Sequence, residues 1–368
     1  HYGMLAVDPN CTIVESFDMN ELANSVYTLN FNIKPNNKAI DHLKLNEIEK
    51  HKAEIWLLSP PCQPFTRGGK YLDDLDPRTN SLIHLMEILK ELDHKPEFLF
   101  LENVYNFESS NTRKKLIKLL FGLGYNIKEY LVSPIQLGVP NDRLRYYLIA
   151  NRDIDFNFQD EKIEQYCIAE GKKACINQFS LKSYQFANKI LHENIKAQKI
   201  SADSTFTLDN FLENPDSDNL KEMKVSLDRI KKRNNFNFDL VDNSSLKSTT
   251  FTKAYGSKHI IGSGSFLVTD TNADINQAME QLQLSNLSDA DKLDIVESLK
   301  LRFFSPLEVA RLMCFPVIGG VTNTKFNISE AGTRLKFPSD LSVRQQHQLL
   351  GNSVNILVVA ALLFELFN

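Results

Sequence analysis

Short apolar runs alternate with amphipathic ones between residues 11 and 151, a pattern typical of strands that alternate with helices. Strands are predicted at 11–18, 53–59, 97–104, 127–134 and 143–151, and helices at 19–29, 78–92 and 111–124. The run 97–104 is almost wholly apolar, which indicates a strand buried on both faces of a parallel sheet. No helix separates the last two strands, so we expect them to pair antiparallel at a sheet edge. The pattern predicts a doubly wound α/β domain with a mostly parallel sheet.

The pattern weakens after residue 151. Residues 151–250 are rich in Asn, Lys, Ser and Asp and contain only helical patches such as 220–233. Regular patterning returns at 251–270, and helices are predicted at 305–315 and 342–367, the second interrupted by the sequence GNSVN. We therefore divide the chain into an α/β domain at 1–150, a smaller and looser inserted domain at 151–335, and a C-terminal segment at 336–368 that returns to the first domain.

The composition favours a soluble, globular protein. Apolar residues make up 42% and charged residues 24% of the 368 residues, which excludes disorder as the main state. The net charge of −4 argues against a protein that coats nucleic acid with a basic surface, but it leaves room for a local basic groove. The apolar tail at 354–367 is shorter than the roughly 20 residues that span a bilayer, and it contains Glu365. We therefore expect a core helix and no membrane partner.

The five cysteines, at positions 11, 62, 167, 175 and 314, are too few and too scattered for a disulfide framework. None belongs to a closely spaced Cys/His group, so we expect no metal. Free thiols are typical of a reducing compartment, and the first residues lack the basic and apolar regions of a signal peptide. We expect the protein in the cytoplasm, the nucleus or both.

The densest chemical signal is the sequence SPPCQPFTR at 59–67. Cys62 follows the predicted strand 53–59, and ligands bind at the carboxyl ends of strands in open α/β sheets. The surrounding prolines stiffen the loop, which suits a nucleophile that must be held in place. The alternative is a buried, inert cysteine, but a loop with three prolines favours a functional thiol.

Two further signals come from charged residues in or beside predicted strands. Glu102 ends an otherwise apolar strand at the same sheet edge as Cys62, where an unpartnered carboxylate is costly to bury. Arg143 and Arg145 share one face of the strand 143–151, which suggests that they bind an anion or a polar base edge. The alternatives are a helix cap or salt bridge for Glu102, and an exposed edge strand for the arginines.

These residues, in this order, resemble the motifs of the cytosine-5 methyltransferases, and within that family the Dnmt2 branch of tRNA cytosine-5 methyltransferases. The matching sequences are PPCQPFTR (60–67), LENV (101–104), NDRLRYYLIA (141–150), RFFSPLEVARLMCFP (302–316) and LLGNSVN (349–355), with KYLDDLDPRTNS (70–81) as a further likeness. The resemblance covers both ends of the chain well and residues 155–245 hardly at all. It implies the fold of class I S-adenosylmethionine-dependent methyltransferases, with 1–150 as the catalytic domain and 151–335 as the target-recognition domain.

The resemblance also implies catalytic roles. The Cys62 thiolate would add to C6 of a cytosine extruded from its stack, which makes C5 reactive toward the methyl group of S-adenosylmethionine. Glu102 would contact N3 and the exocyclic amine. Arg145, with Arg143 behind it, would hold the base carbonyl and position the nucleophile loop. Loss of the C5 proton and expulsion of Cys62 would complete the reaction, with S-adenosylhomocysteine as the other product.

The resemblance places the cofactor site on residues from several segments. Asp18 would bind the ribose hydroxyls, Met19 would lie against the adenine, and Ile40 and Asp41 would read the adenine edge. The remaining implied cofactor residues are Pro61, Asn352, Ser353 and Val354.

The sequence departs from the family pattern in two places. Thr250 stands where members of this branch usually carry Cys, which the mechanism does not require. The glycine loop that wraps the methionine end of the cofactor is not seen before the helix that normally follows it. We expect that the natural protein has further N-terminal residues; a catalytically dead relative is the alternative.

Three functions stay open. The first is methylation of a cytosine in tRNA, and the second is methylation of DNA, for which the net charge of −4 gives little long-range attraction. The third is a non-catalytic, RNA-binding relative that uses a basic helix at 220–233, whose basic residues are Lys221, Lys224, Arg229, Lys231, Lys232 and Arg233. A solvated charged face is the simpler interpretation of that helix. The expected partner is tRNA, with DNA as the alternative, and the expected oligomeric state is a monomer.

Overall fold

The computed structural model describes residues 1–61, 79–152, 177–195, 206–231, 236, 238–257, 262–270, 272–317 and 334–368. Several residues of the sequence interpretation therefore lie outside the described residues. They are Cys62 with the rest of its loop to residue 78, Cys167, Cys175, Lys232 and Arg233.

The helices and strands follow the predicted alternation. The strands are β1 (Ile55–Leu58), β2 (Phe98–Val104), β3 (Asn126–Val132), β4 (Arg145–Asn151), β5 (Leu240–Val241), β6 (Phe266–Val268) and β7 (Leu301–Arg302). The helices are α1 (Tyr2–Val7), α2 (Glu21–Phe31), α3 (Leu45–Glu49), α4 (Asn80–Glu91), α5 (Asn111–Gly122), α6 (Leu181–Ile195), α7 (Leu227–Lys231), α8 (Ile275–Gln283), α9 (Asp289–Ser298), α10 (Pro306–Leu312), α11 (Val343–Asn352) and α12 (Ile356–Phe367).

The larger sheet has the strand order β1-β2-β4-β3 in the described part of the chain. β1 and β2 are parallel, whereas β4 runs antiparallel to both β2 and β3. The predicted antiparallel pairing of the last two strands is confirmed, and β3 lies at the edge. The described sheet is thus mixed, within an α/β fold.

Strand alternation divides the residues of the sheet between two helical layers. Leu99 and Leu101 pack with α4 and α5 on one face. Phe100 and Ile149 pack on the opposite face in a core that includes α12. Every residue of α12 from Ile356 to Val358 and from Ala360 to Leu363 is buried, which confirms the predicted core helix.

The C-terminal segment Val343–Phe367 is, by length and composition alone, long and apolar enough to cross a membrane. Residues 353–355 are not helical and separate α11 from α12. Within this segment, 67% of the most apolar stretch is buried inside the protein. Burial in a protein core accounts for this apolar character.

Two predicted elements differ from the structure. Residues 11–18 do not form a strand of a ladder, because only Phe17 makes a β-bridge, to Asn36. The predicted helix 220–233 is interrupted between a 3₁₀ helix ending at Met223 and α7. The Val225 N–H donates to the Leu301 carbonyl at 3.0 Å, and this buried pairing with β7 prevents a continuous helix.

Candidate functional site

Glu102 and Arg145 form the charged centre of the site. Glu102 lies near the carboxyl end of β2. Arg145 is the first residue of the antiparallel neighbour β4 and pairs with Val104, two residues after Glu102. Arg145 Nε lies 3.6 Å from Glu102 Oε1, and the two side chains are only 17% and 15% exposed. The structure thus brings together two of the residues predicted from separate motifs.

The ionisation of Glu102 depends on two opposing effects. Burial raises the pKa of its carboxyl above the ordinary value, while Arg145 and Arg143 act in the opposite direction. Burial has the larger effect because it removes the water that would stabilise the carboxylate. The carboxyl consequently holds its proton to higher pH than an ordinary glutamate and can donate that proton to an acceptor.

Tyr147 joins this pair, although no motif indicated it. The register places Tyr147 directly opposite Glu102, and alternation puts it on the same side of β4 as Arg145. Its side chain is buried. This burial, and to a smaller extent the charge of Glu102, raises the pKa of the phenol. Tyr147 is therefore a neutral neighbour of the carboxyl; its spacing of two residues from Arg145 was the available sequence signal.

Arg143 is buried and binds backbone carbonyls from two distant segments. Its Nη1 donates to the Phe251 carbonyl at 3.0 Å, and its Nη2 donates to the carbonyls of Gly351 and Ser353 at 3.1 and 2.6 Å. Hydrogen bonds from a charged donor are among the stronger ones in proteins. Arg143 thus acts on the site through the backbone segments that it holds.

The segment before Arg143 is also joined directly to residues 248–251. The Asp142 N–H donates to the Ser248 carbonyl at 2.8 Å, and the Ser248 N–H donates to the Pro140 carbonyl at 3.0 Å. The Thr250 hydroxyl donates to the Asp142 carbonyl at 2.7 Å. Thr250, the departure from the family pattern, therefore has a structural role in this junction.

Gly351 allows the closest backbone approach at the site. A Cβ atom at this position would lie 2.3 Å from the Thr252 carbonyl carbon and 2.4 Å from the Lys253 nitrogen. Both atoms belong to the backbone, which cannot move aside as a flexible side chain can. The sequence motif GNSVN thus begins with a residue whose lack of a side chain lets α11 contact residues 252–253.

We expect Gly351→Ala to lower the free energy of unfolding by about 1–3 kcal/mol, because overpacking forces the backbone to shift. Gly122→Ala is the matched control, since a Cβ atom there has no neighbour within 4 Å. It should leave stability unchanged or raise it by up to about 1 kcal/mol. Urea unfolding of both variants measures the difference, and equal stabilities would contradict the steric argument.

The other predicted cofactor residues fall into two groups. Asn352, Ser353 and Val354 follow Gly351 and are linked to the arginine motif through the Ser353 carbonyl. Asp18 and Met19 are exposed and precede α2; the Asp18 N–H donates to the Asn36 carbonyl at 3.1 Å.

Ile40 and Asp41 lie in a short 3₁₀ helix that follows Asn36. Pro61 is exposed three residues after β1. Among the described contacts, none joins Asp18 or residues 40–41 to the Glu102–Arg145 pair. The cofactor roles of both groups therefore stay predictions, as do the catalytic roles.

His347 of α11 packs against Gly256, four residues after Thr252, which contacts Gly351. It is 3% exposed, and its Nε2 lies 2.9 Å from the Phe304 carbonyl, which is compatible with a neutral ring that donates from Nε2. Its Nδ1 lies 3.0 Å from the position of a Cβ atom on Gly256. Burial lowers the pKa of the imidazole to about 4.

This burial predicts acid sensitivity. The unfolded chain protonates His347 near its ordinary pKa of 6.5, but the folded chain does so only near 4, so stability falls as the pH drops through that interval. We expect the titration of His347 to lower the free energy of unfolding by about 2 kcal/mol between pH 7 and pH 5. Urea unfolding at both pH values should show a smaller loss in His347→Gln, and an equal loss in both proteins would contradict the assignment.

Among the described residues, no group of three or more His, Cys, Asp or Glu side chains is placed so that it could hold a metal ion. Glu102, Arg145 and the neighbouring Tyr147 supply a carboxyl, a guanidinium and a phenol. Such groups can transfer a proton and bind a polar base without a metal ligand set.

Comparison with known proteins agrees with these motifs. The family model described as C-5 cytosine-specific DNA methylase matches residues 2–368. A human tRNA (cytosine(38)-C(5))-methyltransferase is 33% identical over 96% of this chain and 93% of its own length. A Dictyostelium discoideum DNA (cytosine-5)-methyltransferase is 32% identical over 99% of this chain and 90% of its own length.

The structural comparison gives the same result. The crystal structure of a Spodoptera frugiperda DNMT2 mutant superposes with a TM-score of 0.72 and 30% identity, and the match covers 100% of this chain and 96% of the other. The sequence matches and the shared fold cover 90% or more of this chain and of each of these relatives. The chain therefore belongs to the C-5 cytosine-specific DNA methylase family.

Proposed function

We propose that this protein transfers a methyl group from S-adenosylmethionine to C5 of a cytosine in tRNA. The observation that carries the proposal is the buried Glu102–Arg145 pair at the carboxyl edge of β1 and β2, with Glu102 on β2, the strand adjacent to the one that precedes Cys62 in the sequence. It supplies a proton donor and a cation at the edge of the sheet where β1 ends, four residues before Cys62 in the sequence. Relatives that match 95% or more of the chain are named for tRNA methylation.

In the proposed reaction, the Cys62 thiolate forms a bond to C6 while Glu102 donates a proton to N3. Proton donation at N3 relieves the negative charge that the attack drives into the ring. Arg145 binds the base carbonyl through its fixed guanidinium fork. After C5 has received the methyl group, a base removes the C5 proton, the C6–sulfur bond breaks and N3 returns its proton to the Glu102 carboxylate. These steps restore the aromatic ring, the thiolate and the protonated carboxyl.

S-adenosylmethionine would supply the electrophilic methyl group. The residues present fit the nucleoside half of such a cofactor. The Asp18 carboxylate is exposed and accepts a backbone hydrogen bond from Asn20, leaving further lone pairs for ribose hydroxyls. Met19 is 67% exposed, and this apolar surface would be covered by an adenine ring.

The choice of tRNA over DNA rests on the relatives and is open to direct test. Purified protein should incorporate labelled methyl groups from S-adenosylmethionine into tRNA and not into duplex DNA. DNA methylation without tRNA methylation would favour the second function, which the name of the Dictyostelium relative supports. Because the human relative is named for cytosine 38, a tRNA with that base changed to uracil is the informative control.

A further inference from the structure

Met19 differs from the other methionines of the chain in its exposure to solvent. All six methionines lie in the part of the chain that the structure describes, and Met19 is 67% exposed. Four of the others are at most 7% exposed, and the fifth is partly buried against the larger core. The buried four are Met4, Met86, Met223 and Met313, and the partly buried one is Met279. An oxidant in solution therefore reaches the Met19 sulfur first.

The exposure of Met19 is set by a fixed turn. On one side of it, the Asp18 N–H donates to the Asn36 carbonyl at 3.1 Å, and Asn24 Nδ2 donates to the Asp18 carbonyl at 2.7 Å. On the other side, the Asn20 side chain accepts backbone hydrogen bonds from the first turn of α2 and caps that helix. The backbone is thus held on both sides of Met19, and its side chain is presented to solvent.

The same turn carries the predicted nucleoside site of the cofactor. The Asp18 carboxylate, which would bind the ribose, directly precedes Met19 and is exposed. The β-bridge between Phe17 and Asn36 brings the start of the segment that leads to Ile40 and Asp41 beside this turn. Met19 is more exposed than Ile40. It is therefore the more accessible of these two apolar side chains to an adenine ring.

We propose that Met19 is a modification site at which oxidation to methionine sulfoxide weakens the binding of S-adenosylmethionine. This inference rests on the proposed function, which requires that cofactor. The oxidant is a peroxide, for example hydrogen peroxide. The thioether sulfur donates an electron pair to one peroxide oxygen, so that a sulfur–oxygen bond forms and the oxygen–oxygen bond breaks. The second oxygen leaves as hydroxide and becomes water with the proton of the first. The sulfur is oxidised by two electrons and the peroxide is reduced by two.

The sulfoxide opposes cofactor binding because it is polar. An adenine ring that covers Met19 would remove the sulfoxide oxygen from water, and the face of the ring offers no hydrogen-bond donor to replace that water. Burying a polar atom without a partner is costly. The coupling is reciprocal, so a cofactor bound over Met19 shields the sulfur from peroxide. Cofactor binding and oxidation of Met19 therefore oppose each other.

The first part of the test locates the modification. Purified protein is treated with hydrogen peroxide and then with dithiothreitol, which reverses sulfenic acids and disulfides of the cysteines but leaves methionine sulfoxide in place. Peptide mass spectrometry then measures the sulfoxide at each methionine over time. Met19 should be oxidised fastest, and saturating S-adenosylmethionine should slow its oxidation and leave that of Met279 unchanged. Oxidation of Met19 at the same rate with and without the cofactor would overturn the inference.

The second part measures the consequence for binding. Isothermal titration gives the dissociation constant of S-adenosylmethionine before and after peroxide treatment for the wild-type protein, Met19→Leu and the matched control Met279→Leu. The constant should rise about tenfold on treatment of the wild-type protein and the control, which corresponds to about 1.4 kcal/mol. Treatment should leave the constant of Met19→Leu unchanged, whatever its starting value, because leucine has no sulfur to oxidise. Methionine sulfoxide reductase should restore the wild-type affinity. An equal loss in Met19→Leu would assign the effect to another group.

The outcomes separate the two proposals. If the protein methylates tRNA and keeps its cofactor affinity after Met19 has been oxidised, the modification site is wrong and the function stands. If the protein methylates only DNA, the tRNA assignment is wrong, and an affinity loss confined to proteins with Met19 still supports the modification site. If the protein binds no S-adenosylmethionine, both proposals are wrong.

Discussion

Replacing Cys62 with alanine is expected to abolish methyl transfer to tRNA while tRNA binding persists. C5 of cytosine is a weak nucleophile, and without a thiolate on C6 the ring has no enamine-like state that could accept a methyl group. Phosphate contacts and the Glu102–Arg145 pair do not depend on the thiol. Methyl incorporation should fall to background, and the dissociation constant measured by anisotropy should match that of the wild-type protein.

Cys11→Ala is the matched control, because Cys11 is a free, partly buried cysteine with no part in the proposed site. It should retain full activity. A tRNA that contains 5-fluorocytosine adds a direct readout, since the fluorine blocks loss of a proton from C5 and the enzyme stays bound to C6. The wild-type protein and Cys11→Ala should form this denaturant-resistant adduct. Turnover or adduct formation by Cys62→Ala would refute the assignment of the nucleophile.

Glu102→Gln should lower kcat by about 10²–10⁴-fold with little change in cofactor affinity. Glutamine keeps the size and hydrogen-bonding capacity of the side chain but cannot donate a proton to N3. The partner Arg145 and the neighbour Tyr147 stay in place. Single-turnover methylation measures the rate, and isothermal titration with S-adenosylmethionine measures the affinity.

The pH dependence distinguishes proton transfer from simple packing. Because burial raises the pKa of the Glu102 carboxyl, the wild-type rate should fall as the pH rises through that pKa and should rise with ionisation of Cys62. The Gln variant should lose the falling limb and keep the rising one. Glu87→Gln, which changes an exposed glutamate paired with Lys90, should keep both limbs. A falling limb that persists in Glu102→Gln would assign it to another group.

The core elements of the α/β domain could be predicted because continuous runs of apolar residues in the sequence indicate which segments are buried. The apolar run at 97–104 becomes β2, and the apolar tail becomes α12 at the centre of the larger core. The predicted strand at 11–18 failed because a strand needs a partner, which local apolar character does not supply. The predicted helix 220–233 failed because Val225 pairs with Leu301, 76 residues further along the chain.

The site could be predicted only as far as motifs and strand alternation reach. Glu102 and Arg145 were named from the sequence, and the structure brings them together. Tyr147 was missed because its position depends on the register between β2 and β4. The partners of Arg143 lie more than 100 residues away, so no local pattern reveals that its guanidinium binds backbone carbonyls.

The contacts of Arg143 have a consequence for chimeric proteins built from this chain and its relatives. A crossover point at residue 151 looks natural from the sequence, but it would combine an arginine from one parent with carbonyl acceptors from another. The acceptors are backbone atoms, so their identity matters less than the path of the chain through Phe251 and Gly351. Exchanged segments should therefore carry residues 248–257 and 351–353 together with the arginine motif. The segments that can be exchanged together are therefore defined by the hydrogen bonds of the Arg143 guanidinium and not by their order in the sequence.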